Sequence, residues 1–314
     1  MTGKKKILVV GSSNMDLSLN MYKIPEPKEI QIDDGGVAYT PGGKGLCTAV
    51  ALSRLGTESF LATKLGRDLH GQQLFSYIKQ TSVNTSYIKV DNENPTGFSA
   101  ILKEPSGENR TIYYPGANLT LSRENLAEAF SCMPDAVYIS FEVSFETAAL
   151  AAKMASAKGI PVFIDAAPAN KDFNLEALPE VEIFSPNEVE TEIYTGVMPA
   201  GADSSLRAAL ALWKRVKCKY LVIKQGARGA FIYDGKHYSM IPSYRPDKIA
   251  DAAGVGDAFN AALIYEYLES GDVTLAVKYG VAAGAVAVSK AGAASSMPTE
   301  EEIISFLRKR TEQY

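Results

Sequence analysis

The chain is expected to fold as an α/β protein around a mainly parallel sheet, and three features of the sequence lead there. Short apolar runs of strand length recur along its 314 residues, stretches of helical periodicity separate them, and two β-rich regions interrupt that rhythm. Apolar runs without alternation suit strands covered on both faces, as in a parallel sheet with crossover helices.

Taken in order, residues 7–10, 137–141, 162–164, 183–184 and 220–223 read as buried strands. Residues 46–55, 147–157, 206–216 and 274–289 read as helices, several ending near glycine or a basic residue. Another helix starts at Gly254 to Asp257, because Phe259, Leu263, Ile264, Tyr267 and Leu268 recur at helical spacing before Gly271 offers a stop. The rhythm breaks around residues 17–24, 36–39 and 97–114. In the last of these, residues 98–103 and 110–114 flank Glu104-Pro105-Ser106-Gly107, whose proline and glycine suit a hairpin turn. Such a strand pair buries little alone, so it must lie over the main domain, over a substrate or against another subunit. A lid that can also join two subunits is the functional reading; a surface hairpin without a role is the alternative. No repeat, low-complexity tract or linker divides the chain, which is read as one domain over 1–314 with a lid from about 15–41 and 96–115.

Composition narrows the function. With 46% hydrophobic and 22% charged residues and a net charge of -4, the chain gains no global attraction for nucleic acid. Lys4 to Lys6 precede an apolar run too short for a signal peptide or membrane span, so a cytoplasmic protein without membrane partners is expected. Cys47, Cys132 and Cys218 are widely spaced, with no zinc or redox pair among them. His70 and His237 are too few for a histidine-rich metal centre, and no Gly-x-Ser-x-Gly elbow supplies a hydrolase nucleophile.

The segment Asp251-Ala252-Ala253-Gly254-Val255-Gly256-Asp257 places two glycines and a carboxylate where a helix begins. Glycine lets backbone approach a ligand, and the first amides of a helix are unpaired and collectively positive, so anionic oxygen is the natural guest. A carboxylate there repels an anion, which suggests a proton acceptor aimed at an attacking hydroxyl; complementing the helix dipole is the structural alternative. Gly11-Ser12-Ser13-Asn14-Met15-Asp16 follows the first strand but lacks the later glycines of a dinucleotide fingerprint. Asn14 and Asp16 can clamp a polyol, or simply form an Asx turn. Pro41-Gly42-Gly43-Lys44-Gly45 brings backbone and a cation to another helix start, without the spacing of a Walker motif.

In chain order, Asn14-Met15-Asp16, Gly42-Gly43-Lys44-Gly45, Pro186-Asn187-Glu188-Val189-Glu190, Gln225-Gly226-Ala227-Arg228-Gly229 and Gly254-Val255-Gly256-Asp257 resemble the ribokinase family of sugar and nucleoside kinases. The resemblance spans nearly the whole chain and implies a three-layer α/β/α fold with a small β lid over a carbohydrate pocket. It implies ATP-dependent phosphorylation of a primary hydroxyl on a pentose, with D-ribose giving ribose 5-phosphate. Alternatives are a nucleoside kinase, a kinase for deoxyribose or fructose, and an inactive sugar-binding regulator. By the resemblance, Asp257 is the catalytic base and Gly254, Val255 and Gly256 form the anion hole. Asn14, Asp16, Gly42, Gly43, Lys44 and Glu142 are the sugar contacts, and Asn187, Lys224, Gly226 and Gly229 lie on the nucleotide side. Glu190 would organise magnesium through water, Asp251 a monovalent cation such as potassium, and the lid a homodimer. The chain departs from the family's pattern in four places. Cys47 stands where a sugar-binding asparagine is usual, and Ala252-Ala253 lack the usual threonine hydroxyls. Lys290 replaces a common arginine near the cation loop, and Gly280 stands where a side chain often flanks adenine.

Overall fold

The computed structural model describes residues 3–104 and 109–311. The chain opens with β1 (Lys6–Val10), β2 (Asn14–Asn20) and β3 (Val37–Gly42), followed by α1 (Lys44–Arg54). Next come β4 (Glu58–Gly66), α2 (Leu69–Ile78) and β5 (Ile88–Asp91), then the antiparallel pair β6 (Gly97–Lys103) and β7 (Asn109–Tyr114). Helices and strands then alternate through α3 (Arg123–Ala129), β8 (Ala136–Ser140), α4 (Phe145–Ser156), β9 (Val162–Asp165) and β10 (Val181–Ser185). After α5 (Glu188–Thr195), α6 (Ala202–Trp213) and β11 (Cys218–Lys224), the chain makes β12 (Ala230–Tyr233) and β13 (Tyr238–Ile241). It closes with α7 (Val255–Ser270), α8 (Val273–Ala287) and α9 (Glu300–Thr311).

A nine-stranded sheet runs in the order β13-β12-β11-β10-β9-β8-β1-β4-β5. It is parallel from β5 to β11, and only β12 and β13 run against their neighbours. Alternate residues feed two cores, which makes three layers. Val9, Tyr138, Phe163 and Val222 pack under α1, α7 and α8, while Val10, Val137, Ile164 and Leu221 pack under α3, α4 and α6. Each fully buried Leu, Ile or Phe contributes roughly 1.5–3 kcal/mol, which is why the strands read as continuous apolar runs. Strands placed after β1 lie on one side of it as β4 and β5, and on the other from β8 onward. The order therefore reverses beside β1, and open α/β sheets bind ligands at the carboxyl ends of strands at such a point.

The second sheet has four strands in the order β3-β2-β6-β7. The registers Asp16↔Ser99, Asp16↔Thr40 and Ser99↔Tyr113 put polar residues on one face. Leu17↔Ala100, Leu17↔Tyr39 and Ala100↔Ile112 put apolar residues on the other.

The expected strands and helices are all present, most of them longer than the periodicity marks. Residues 17–24 need adjustment: β2 begins at Asn14 and ends at Asn20. Asn14 and Asp16 are thus strand residues held by ladder pairing to β6, not an Asx turn. The expected turn after Glu104 lies in part at 105–108, outside the described residues.

Candidate active site

The ends of β1 and β8 build one half of the site around Glu142. Ser12 Oγ donates to Glu142 Oε2, Asn14 Nδ2 donates to it at 3.4 Å, and the Lys44 amide donates to it at 3.0 Å. Gly43, the N-cap of α1, has no side chain to offer, so Glu142 supplies the acceptor for the first helical amide. Asn118 Nδ2 donates to Asn14 Oδ1 at 2.7 Å, and the Tyr113 hydroxyl donates to the Glu142 carbonyl at 3.1 Å. Asp16 is buried on the polar face of the second sheet, and burial pushes its carboxyl up to about 7 against the opposing Ser99 hydrogen bond. A Cβ on Gly42 would lie 1.8 Å from Asp16 Oδ2, so this glycine makes room for the carboxylate.

The other half gathers at the start of α7. Gly254 caps the helix at φ 76°, a left-handed conformation that favours glycine, and its amide and that of Gly256 donate to no described group. The Val255 amide makes a long 3.4 Å bond to the Ala252 carbonyl, and the Asp257 amide is bonded to the Gly254 carbonyl. Asp257 follows within the first turn, 6% exposed, and its Oδ1 accepts no hydrogen bond from any described residue. Burial lifts this carboxyl from 3.8 to about 7; Lys44 opposes the rise, while Asp165 and Glu142 add to it.

Lys44 joins the two halves, with Nζ 3.7 Å from Asp257 Oδ1 and 3.4 Å from Asp165 Oδ2. Asp165, at the carboxyl end of β9 and 0% exposed, also receives Lys224 Nζ at 3.1 Å and Asn260 Nδ2 at 2.6 Å. Burial alone would raise Asp165, but the two lysines outweigh it and hold the carboxylate below its ordinary value. Burial likewise opposes the charge on Lys44, yet Asp165 and Asp257 keep it well above the usual lysine range. Lys224 Nζ is 4.0 Å from where a Cβ on Gly256 would stand, so its charge borders the unpaired amides.

At the start of α5, Asn187 and Glu190 form a reciprocal capping box. Asn187 Oδ1 accepts from the Glu190 amide at 2.9 Å, and the Asn187 amide donates to Glu190 Oε2 at 2.7 Å. The helix-start explanation of this motif is therefore real. It also fixes Glu190 close enough to Lys224, Asp165 and Lys44 for their charges to act on its carboxyl, which burial raises. Gly226 and Gly229 have φ 51° and 96° in the turn between β11 and β12.

Two positions at the periphery are engaged within the protein. Asp251 does not present a free carboxylate to a monovalent cation: Lys103 Nζ, the Gly292 amide and the Ala253 amide already donate to it, at 3.2, 3.3 and 3.0 Å. A cation site needs oxygens facing inward, and the groups converging here are N–H donors. Gly280 is buried in α8, where a Cβ would stand 2.9 Å from the Phe259 carbonyl, so its smallness serves helix packing. Lys290 pairs with Glu302 at 2.5 Å, and Cys47 is buried in α1 within electrostatic reach of Asp257, Asp16 and Glu142.

Sequence reasoning passed over Asp165, Asn118, Tyr113, Asn260 and Lys103. Asp165 had a usable signal, an acidic residue directly after a buried apolar run, where parallel strands present side chains to ligands. The others reach the site through sheet pairing or a helical turn that no motif spacing announces. Among the described residues, no cluster of three or more His, Cys, Asp or Glu side chains can hold a metal by itself.

Comparison with known proteins agrees with this arrangement. The sequence profile of the pfkB family carbohydrate kinase matches residues 4–300. The chain is 31% identical over 307 residues to a ribokinase of Haemophilus influenzae, covering 97% of this chain and 99% of that protein. It is 28% identical over 303 residues to a deoxyribokinase of Salmonella typhimurium, covering 96% and 98%. The fold matches a solved Arabidopsis thaliana ribokinase complexed with ribose and ATP at a TM-score of 0.85 and 24% identity, over 98% of this chain and 99% of that one.

Proposed function

Because the chain belongs to the pfkB family of carbohydrate kinases, we propose that it transfers the γ-phosphoryl group of ATP to the primary hydroxyl of a pentose, with D-ribose as substrate. The observation that carries this reading is Asp257 Oδ1, which accepts no hydrogen bond from a described residue and has Lys44 Nζ 3.7 Å away, in the same helix start as the unpaired Gly254 and Gly256 amides.

Asp257 Oδ1 takes the hydroxyl proton, which frees the oxygen to attack the γ-phosphorus. As the new P–O bond forms, the bond to the bridging oxygen breaks and its electron pair leaves with ADP. The Gly254 and Gly256 amides, with Lys44 and Lys224, face the charge that develops on the transferred group and the leaving oxygen. Asp165 holds both ammonium groups at one place. Glu190 would organise magnesium through water, and the ion, which suits hard oxygen ligands, would neutralise phosphate charge. Asn187, Gly226 and Gly229 border the nucleotide in this reading. Potassium has no part in it, because Asp251 is already paired.

On the sugar side, Asn14, Asp16, Gly42, Gly43 and Glu142 form the pocket, and the four-stranded sheet acts as the lid that excludes water. A carboxylate as buried as Asp16 holds its charge best when hydroxyls donate to it. A vicinal diol supplies two such donors, which favours ribose over 2-deoxyribose. The apolar face of the lid exposes Val37 (65%), Tyr39 (58%), Ile112 (67%) and Tyr114 (58%), which supports a homodimer through this sheet. No described helix is long and apolar enough to cross a membrane. A cytoplasmic site of action fits an ATP-consuming reaction and three free, buried cysteines.

A coupled ADP assay with ribose, 2-deoxyribose, fructose and adenosine tests the reading. Ribose should give the highest kcat/KM. Preference for adenosine would make the chain a nucleoside kinase, and no sugar-dependent ADP at all would leave a binding protein.

A further inference from the structure

Lys103 is the last residue of β6, on the polar face of the four-stranded sheet and opposite Asn20. From there it crosses to the main domain, where Nζ lies 3.2 Å from Asp251 Oδ2. The partner loop is built around that carboxylate. Asp251 Oδ1 accepts from the Ala253 amide at 3.0 Å, and Oδ2 also accepts from the Gly292 amide at 3.3 Å. The Ala250 and Asp251 amides bond to the Val288 carbonyl at 2.8 and 3.2 Å. One carboxylate thus ties the loop leading into Gly254 to the segment after α8, and a lid residue supplies its counter-charge. Burial alone would raise the Asp251 carboxyl, but the Ala253 amide and Lys103 overcome this and hold it below its ordinary value.

We infer that the Lys103 ammonium is a resident monovalent cation carried by the lid: it neutralises Asp251, orders the loop that aims the Gly254 and Gly256 amides, and makes the enzyme independent of potassium. Lys103 is a positioning residue in this scheme, since it reaches the phosphate only through the loop. The inference rests on the kinase reading and adds a consequence to it. Because the charge arrives on β6, the loop receives its cation only when the sheet lies over the site. Lys103 also acts on Asp16, the buried sugar-side carboxylate on the same sheet, so lid position is felt on both sides of the reaction. A free alkali ion would have to displace a tethered ammonium from a carboxylate already satisfied by amides.

The test compares wild type and Lys103→Met in choline chloride and in potassium chloride at equal ionic strength. Two readouts are needed, sugar-dependent ADP formation and the thermal midpoint of the apo protein. Wild type should show the same rate and midpoint in both salts. In choline chloride the variant should lose roughly tenfold or more in rate, the scale of one charge-assisted hydrogen bond. Potassium should then restore part of that rate and raise the variant's midpoint, an effect a merely structural lysine would not give. Stimulation of the wild type severalfold by potassium overturns the inference, as does a variant equal to wild type in choline chloride. A variant inactive in both salts and unmoved in midpoint by potassium also overturns it. If wild type forms no ADP with any sugar in either salt, the kinase reading fails instead, and the midpoint comparison still decides whether Lys103 has taken the cation's place.

Discussion

At the scale of the residue, Asp257 sits buried at a helix start with an oxygen that accepts no hydrogen bond, and burial, with Asp165 and Glu142 adding to it, raises its carboxyl to about 7. A base is most effective when its pKa lies near the working pH, so kcat/KM should climb with pH below about 7 and level off above it. A flat pH profile from 5.5 to 8 would remove Asp257 from the role of titrating base. The same shift has a consequence for stability, and its sign is opposite to that of a carboxylate whose pKa is lowered on folding. Because the folded value lies above the ordinary 3.8, the folded state holds the proton more tightly, and stability falls as pH rises from about 4 through about 7. Asp257→Asn should therefore melt higher than wild type at pH 8, and the difference should close as pH falls to about 4. Equal midpoints at pH 8 would show that the carboxylate is not desolvated.

At the scale of the element, helix starts make the site: α1 brings Lys44, α5 brings Glu190 and α7 brings Asp257, each at the carboxyl edge of the main sheet. The glycines before α1 and α7 are fitted to side chains, Gly42 to Asp16 and Gly254 to Met297. Gly42→Ala would put a methyl group 1.8 Å from Asp16 Oδ2 and force that carboxylate aside. The expected result is a KM for sugar raised roughly tenfold to a hundredfold, the worth of a hydrogen bond to a charged group, with a much smaller change in KM for ATP. An unchanged sugar KM would mean that Asp16 does not touch the substrate. Much of this was legible in the sequence, because the glycine motifs and the carboxylate after them determine helix starts locally. Asp165 was not read, although it follows an apolar run, because its role depends on two lysines brought from distant parts of the chain. Lys103 and Tyr113 were hidden for a similar reason: strand register decides which face they take, and register is a pairing property. Asn187 and Glu190 were legible as a helix start, since their spacing is that of a capping box, and the magnesium role proposed for Glu190 rests on the same spacing.

At the scale of the whole molecule, a doubly covered parallel sheet gives a rigid floor, and a separate four-stranded sheet rests its polar face over it. The alternation along β2, β3, β6 and β7 assigns one face to chemistry and leaves the other apolar and exposed. Ile112→Lys places a charge on the exposed edge strand of that outer face and should convert a dimer to a monomer in size-exclusion chromatography with light scattering. A wild type that elutes as a monomer at every concentration would remove the dimer from the account. The α/β class could be read from the apolar runs and the separate β layer from the broken rhythm at 17–24, 36–39 and 97–114, whereas the start of β2 at Asn14 could not, because it follows β1 after so short a connection that nothing local marks a new sheet. The central claim is that one carboxylate at the start of α7 removes the proton from the sugar hydroxyl. Asp257→Asn, followed by ribose binding in a calorimeter and by ADP formation under saturating ribose and ATP, tests it most directly. The expected result is ribose affinity within about threefold of wild type with turnover lowered by roughly 10² to 10⁴. Turnover close to wild type in that variant would contradict the mechanism.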